Sequence, residues 1–200
     1  MFPSSTNFKS SGRRLVLGGM AASMAAAISS PAGATDAAFE QAELWRSHIK
    51  LIDASGTRLA LDDVKAPLLF INLWANWCSN CLLEFASMRR LAAALGASNA
   101  EVLLVSHPNW WAQDQVFARK NAIGFRSFAF PPEVDQRIVR TAFHDVGNLS
   151  LPQTLVMAGA DRVPRILQVG GIDWAQPKVI ASMRELVSDA QKNRGWAPGS

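Results

Sequence analysis

The chain of 200 residues contains two cysteines, Cys78 and Cys81. Their setting is Trp74-Ala75-Asn76-Trp77-Cys78-Ser79-Asn80-Cys81, after an apolar run at 68–74 and at the start of a helical pattern that runs to residue 95. A thiol at a helix N-terminus faces unpaired backbone N–H groups and the positive end of the helix dipole. Both favour the thiolate, so its pKa falls from about 8.5 toward about 3.5–7.5. A spacing of three places the two sulfurs on one side of the first turn, within bridging range. The chemistry this permits is thiol–disulfide exchange, with thiolate attack by Cys78 and resolution by the deeper Cys81.

Other uses of the pair fit less well. A structural zinc site needs about four ligands, and His48, His107 and His144 are scattered. A structural disulfide would close too small a loop to remove much unfolded-state entropy. A copper-binding module would use the cysteines as copper(I) ligands, but no histidine or methionine ligand lies close by in the sequence. A thiol peroxidase would need an activating threonine or arginine just before its cysteine, where this chain has Ala75-Asn76-Trp77.

The elements that must position the pair follow from hydrophobic pattern. Residues 49–52 and 57–61 read as a hairpin around Ala54-Ser55-Gly56. The run 68–74 reads as a strand buried on both faces. In the helix 78–95, Cys81, Phe85, Met88, Ala92 and Leu95 share a face, and Gly96 ends it. Strands are expected at 102–106, 127–130, 153–157 and 165–169, with helices at 114–122 and 135–143. A last helix is expected from just after Asp173 to about 192, with Asp173 and Gln176 as a capping box and Pro177 in its first turn. This order predicts an α/β domain of three layers around a mixed sheet.

Residues 1–34 read as a cleaved export signal. Arg13-Arg14 leads a weakly apolar segment of about 14 residues, too short to cross a hydrocarbon core of about 30 Å. Ala32-Gly33-Ala34 is the cleavage site, and the paired arginines resemble a twin-arginine signal. Residues 35–48 read as a linker, 49–192 as the domain, and 193–200 as a loose tail. The net charge of +4 belongs mainly to the leader, which carries Lys9, Arg13 and Arg14 and no acid. Beyond it, 17 basic residues face 16 acidic ones, so no nucleic-acid partner is expected. The expected location is the periplasm, with membrane contact only through export or a membrane redox partner.

Around Cys78 the sequence resembles the thioredoxin superfamily, and more narrowly its TlpA-like exported oxidoreductases, which include the cytochrome c maturation thioredoxins. Typical thioredoxins have an acid where Asn72 stands, whereas the run into Trp74-Ala75 and Trp77-Cys78 is similar to the TlpA-like branch. Glu84, three residues after Cys81, matches this branch and is a candidate to manage the Cys81 proton. Leu151-Pro152-Gln153-Thr154 resembles the family's cis-proline loop, which implies that Pro152 borders the redox pair. The resemblance implies a thioredoxin-like fold, Cys78, Cys81, Glu84 and Pro152 as site residues, and Trp77, Ser79, Asn80, Leu151 and Thr154 in contact with substrate. Its implied partners are a protein thiol or disulfide client and an upstream electron-transfer partner. No cofactor and no metal are expected.

Asn80 stands where the family usually has proline. Its amide and backbone N–H are expected to support the Cys78 thiolate, as is the Ser79 hydroxyl. Among the other aromatics, Trp74 reads as core. Trp110-Trp111 reads as a loop pair, partly buried rather than a substrate lip. The histidines read as structural or surface residues.

Overall fold

The computed structural model describes residues 50–134, 151–160 and 162–192. The expected leader, the linker, the helix at 135–143, the tail, His48 and His144 lie outside these residues.

The elements are β1 Lys50–Ile52, β2 Arg58–Ala60, a 3₁₀ turn Leu61–Asp63, β3 Leu68–Trp74, α1 Ser79–Leu95, β4 Ala100–Ser106 and α2 Trp111–Lys120. They continue with β5 Arg126–Ala129, β6 Gln153–Ala158, β7 Val163–Val169 and α3 Pro177–Lys192. One sheet holds all seven strands in the order β2-β1-β5-β4-β3-β6-β7. The β3–β4 and β4–β5 pairs are parallel, and β3–β6, β6–β7, β1–β2 and β1–β5 are antiparallel. The sheet is therefore mixed, as expected.

β3 is buried along its whole length because it is central. Leu69, Ile71 and Leu73 join one core with Leu103, Val105, Leu155 and Met157. Leu68, Phe70 and Trp74 join the other, with Phe85 and Met88 of α1 and Val179 and Met183 of α3. Phe117 and Ala118 of α2 pack against this second core, so the described helices share one face of the sheet. On the opposite face, Leu61, Val64 and Ala66 of the β2–β3 connector cover the first core. The buried Arg162 guanidinium donates to the carbonyls of Leu61, Val64 and Ala66, which ties the β6–β7 turn to that connector.

The hairpin is built on Asp53, whose Oδ1 accepts the backbone N–H groups of Ser55 (2.8 Å) and Thr57 (2.9 Å). Gly56 there has φ +84°, which a side chain would oppose.

Several boundaries differ from the sequence expectation by one to three residues. α2 begins at Trp111 rather than Asp114, so Trp111 is helical and Trp110 caps it. β4 starts two residues early, at Ala100, because β3 pairs with it in register from Leu68↔Ala100 to Trp74↔Ser106. α3 begins at Pro177, and the Asp173 carboxylate accepts Ala175 N (3.0 Å) instead of capping the helix. In the first turn of α3 the Val179 and Ile180 amides donate to the Gln176 carbonyl.

Candidate functional site

The site forms where β3 ends and α1 begins. β3 delivers the chain at Trp74, and Cys78 caps α1 with extended backbone, φ −85° and ψ 97°. Its Sγ accepts the Cys81 backbone N–H at 3.1 Å, so the sulfur occupies the place of an N-cap oxygen. Gly96 ends the helix with φ +88°, and its N–H reaches the carbonyls of Ala92 and Ala93. Cys78 and Cys81 form a disulfide. Cys78 is 6% exposed and Cys81 0%, so the residue reachable from solvent is the one expected to attack.

The second wall is the β6 start. β6 runs antiparallel to β3 with Leu73 opposite Gln153, so Pro152 falls beside the end of β3. The Leu151–Pro152 peptide bond is cis. Gly171 closes this corner: a Cβ on it would lie 3.6 Å from Asn80 Cβ and 3.8 Å from Pro152 Cγ. From there a shallow groove of about 340 Å³ runs along α1, lined by Asn80, Leu83, Glu84, Arg90, Ile172 and Asp173.

Glu84 is not a solvated surface acid, because its side chain is 3% exposed. The Trp174 indole N–H donates to its Oε1, and the Thr154 hydroxyl reaches the same oxygen at 3.5 Å. Oε2 has no hydrogen-bond partner among the described residues. Burial pushes the carboxyl up to about 7, against the opposing effect of the Trp174 and Thr154 donors. It is therefore placed to change protonation near neutral pH. Trp174 is held in turn by its backbone N–H on Ser87 Oγ (3.1 Å), and that hydroxyl donates to the Glu84 carbonyl (2.8 Å).

Trp174 thus supports the ionised form of Glu84. Trp174→Phe keeps most of the buried ring and removes the donor. Titrating the Glu84 carboxyl by NMR is expected to show its midpoint higher by about one pH unit or more. A midpoint that stays near 7 or falls would show that the indole does not hold the carboxylate.

Thr154, expected in contact with substrate, sits below the surface, 1% exposed. Its hydroxyl accepts Asn72 Nδ2 at 2.8 Å and belongs to the Glu84 network. Ser79 and Asn80 are exposed and Leu151 is half-buried. The hydrogen bond on Cys78 Sγ comes from Cys81 N–H rather than from the Ser79 or Asn80 side chain. Trp77 is 53% exposed and meets Trp110 edge-on, with ring centres 5.2 Å apart. Trp110 is half-buried and also contacts His107, whose Nδ1 accepts Asn109 N–H and whose pKa burial lowers. Trp74 is fully buried, as expected.

Trp174 and Asp114 escape a sequence reading of the site. Trp174 lies in a turn far along the chain from Glu84, and Asp114 reads as an ordinary acid in a first helical turn. The described residues hold no group of three or more His, Cys, Asp or Glu side chains placed to bind a metal.

Comparison with known proteins agrees with this arrangement. Thiol-disulfide oxidoreductase ResA of Bacillus anthracis is 28% identical over 91 residues, which cover 44% of this chain and 50% of ResA. ResA of Bacillus subtilis (strain 168) is 32% identical over 56 residues, 28% of this chain and 31% of that protein. The chain spans about half or less of the length of these curated relatives. Among solved structures, a thioredoxin-related protein from Neisseria meningitidis serogroup B aligns with TM-score 0.53 and 18% identity. That alignment covers 70% of this chain and 99% of the other. The thioredoxin domain of a thiol-disulfide oxidoreductase from Bacteroides vulgatus aligns with TM-score 0.52 and 14% identity, over 70% of this chain and 92% of the other. These likenesses show that the fold is thioredoxin-like. Residues 44–157, more than half of the chain, match the AhpC/TSA family, and the chain belongs to that family.

Proposed function

We propose that the chain is an exported thiol–disulfide oxidoreductase that exchanges disulfides with protein thiols through Cys78 and Cys81. The observation that carries this reading is the pair itself: Cys78 caps α1 and keeps a small exposed surface, Cys81 is fully buried one turn along, and Glu84, three residues further on the same helix, has its carboxyl pushed up to about 7. The names of the curated ResA relatives support it.

In the reducing direction the Cys78 thiolate attacks one sulfur of a client disulfide. A mixed disulfide forms, and the client's other sulfur leaves as a thiolate that takes a proton. Glu84 carboxylate accepts the Cys81 thiol proton, with Oε2 as the oxygen free to take it. The Cys81 thiolate then attacks Cys78 Sγ, closes the Cys78–Cys81 disulfide and releases the second client thiolate. Two electrons pass from the pair to the client, and the oxidising direction reverses each step. The Pro152 loop borders the pair, and Trp77, Ser79, Asn80 and Leu151 supply the surface around it. No cofactor enters these steps.

The reading places the protein in the periplasm after removal of residues 1–34, serving a protein client and recharged by an electron-transfer partner. Cytochrome c maturation is the pathway branch that the sequence around Cys78 resembles. No helix among the described residues is long and apolar enough to cross a membrane. The reading is tested by adding the reduced protein to a disulfide-bonded protein such as insulin, with glutathione to recycle it. Catalysed cleavage is expected, and cleavage no faster than with glutathione alone would contradict the reading.

The site also revises the expectation for Asn80. Proline at this position would remove the Asn80 N–H but leave the Cys81 N–H that reaches Cys78 Sγ. Asn80→Pro is therefore expected to make the pair only slightly more reducing, by about 30 mV or less in a glutathione equilibrium. A shift well beyond this, or toward a more oxidising pair, would show a role that this geometry does not contain.

A further inference from the structure

Asp114 is fully buried in the first turn of α2, and the exchange steps above do not use it. Its Oδ1 accepts both the backbone N–H and the side-chain Nδ2 of Asn76, each at 2.7 Å. Its Oδ2 has no hydrogen-bond partner among the described residues. Burial raises its pKa, against the opposing Asn76 donors and the Ser106 hydroxyl of β4.

Asn76 lies at the centre of the turn that delivers the redox pair, because Cys78 N–H bonds back to the Ala75 carbonyl at 3.0 Å. A second contact joins the same two segments, the edge-on packing of Trp77 on Trp110. Both residues that precede Cys78 are thus tied to the β4–α2 segment.

We propose that Asp114 is a positioning residue for the redox pair: by accepting both the backbone and the side-chain N–H of Asn76 it fixes the turn that sets Cys78 Sγ on the N-terminus of α1. This rests on the exchange reading of Cys78. The support a helix N-terminus gives an anion fades within the first turn, so the sulfur must stay beside the Cys81 N–H to keep it. A relaxed turn lets the sulfur drift and the thiolate loses that support.

Two substitutions separate position from charge. Asp114→Ala removes the acceptor and the charge, whereas Asp114→Asn removes the charge and keeps an oxygen for the Asn76 N–H. The measurement is thiolate absorbance of the reduced protein against pH. Asp114→Ala is expected to hold about tenfold less Cys78 thiolate near pH 6, and Asp114→Asn to stay within about twofold of the parent. Asn76→Ala changes a half-buried residue that tolerates truncation, and keeps only the backbone bond. It is expected to lose about threefold and decides the matter if Asp114→Ala does not fold. Parent-like thiolate in Asp114→Ala or in Asn76→Ala overturns the proposal. So does more thiolate in Asp114→Ala, which would mean that the buried charge acts and not the hold on Asn76. The insulin assay on the parent stands apart. A parent that cleaves insulin while these variants keep their thiolate removes the role of Asp114 alone, and a parent that does not cleave removes the exchange reading.

Discussion

Cys78→Ser is expected to lower dithiol–disulfide exchange by about three orders of magnitude or more, because the serine hydroxyl does not replace a thiolate nucleophile. Cys81→Ser is expected to behave differently. Cys78 still attacks, and the mixed disulfide then has no second thiol to resolve it. It should accumulate as a covalent adduct with the client, visible on a non-reducing gel and lost on adding reductant. The assignment follows from placement: Cys78 caps the helix and reaches solvent, while Cys81 is fully buried. Clients trapped by Cys78→Ser instead of Cys81→Ser would reverse the two roles.

Glu84→Gln is expected to flatten the dependence of stability on pH. The Glu84 carboxyl titrates at about 7 in the folded chain against an ordinary value of 4.5. The folded state therefore binds more protons than the unfolded state between these values. Its contribution is complete below pH 4.5, declines as pH rises through 7, and is absent above that. The difference corresponds to about 3 kcal/mol. Glutamine occupies the same space without titrating, so the variant should gain stability on the parent as pH rises from 4.5 to 8. Denaturant unfolding at several pH values measures this. Parallel curves for parent and variant would show that Glu84 is not held in the protonated form near neutral pH. The exchange rate should fall too, at the resolving step, since glutamine cannot accept the Cys81 proton.

The mixed sheet and the pairing of Cys78 with Cys81 were legible because local pattern determines them. A nearly continuous apolar run of strand length reads as a strand buried on both faces, and two cysteines three apart opening a helix have few uses. Glu84 was legible as a position but not as an environment. Its partner Trp174 lies ninety residues away by chain and meets it only in the folded structure. The same holds for Asp114 and Asn76, which sequence separates by 38 residues. Thr154 looked like a substrate contact because of its place after Pro152. The alternation of β6 turns its hydroxyl inward to Asn72 and Glu84. The start of α2 was placed late because Trp110-Trp111 resembled a loop pair, whereas Trp111 opens the helix and Trp110 packs on Trp77.

The most direct measurement is the equilibration of the Cys78–Cys81 pair with a protein dithiol, followed from both directions. A redox pair at a helix terminus reaches the same two-electron equilibrium from the oxidised and the reduced protein, far faster than an unactivated disulfide exchanges. A Cys78–Cys81 disulfide that exchanges no faster than such a disulfide, from either direction, would be a structural bridge and would contradict the exchange function.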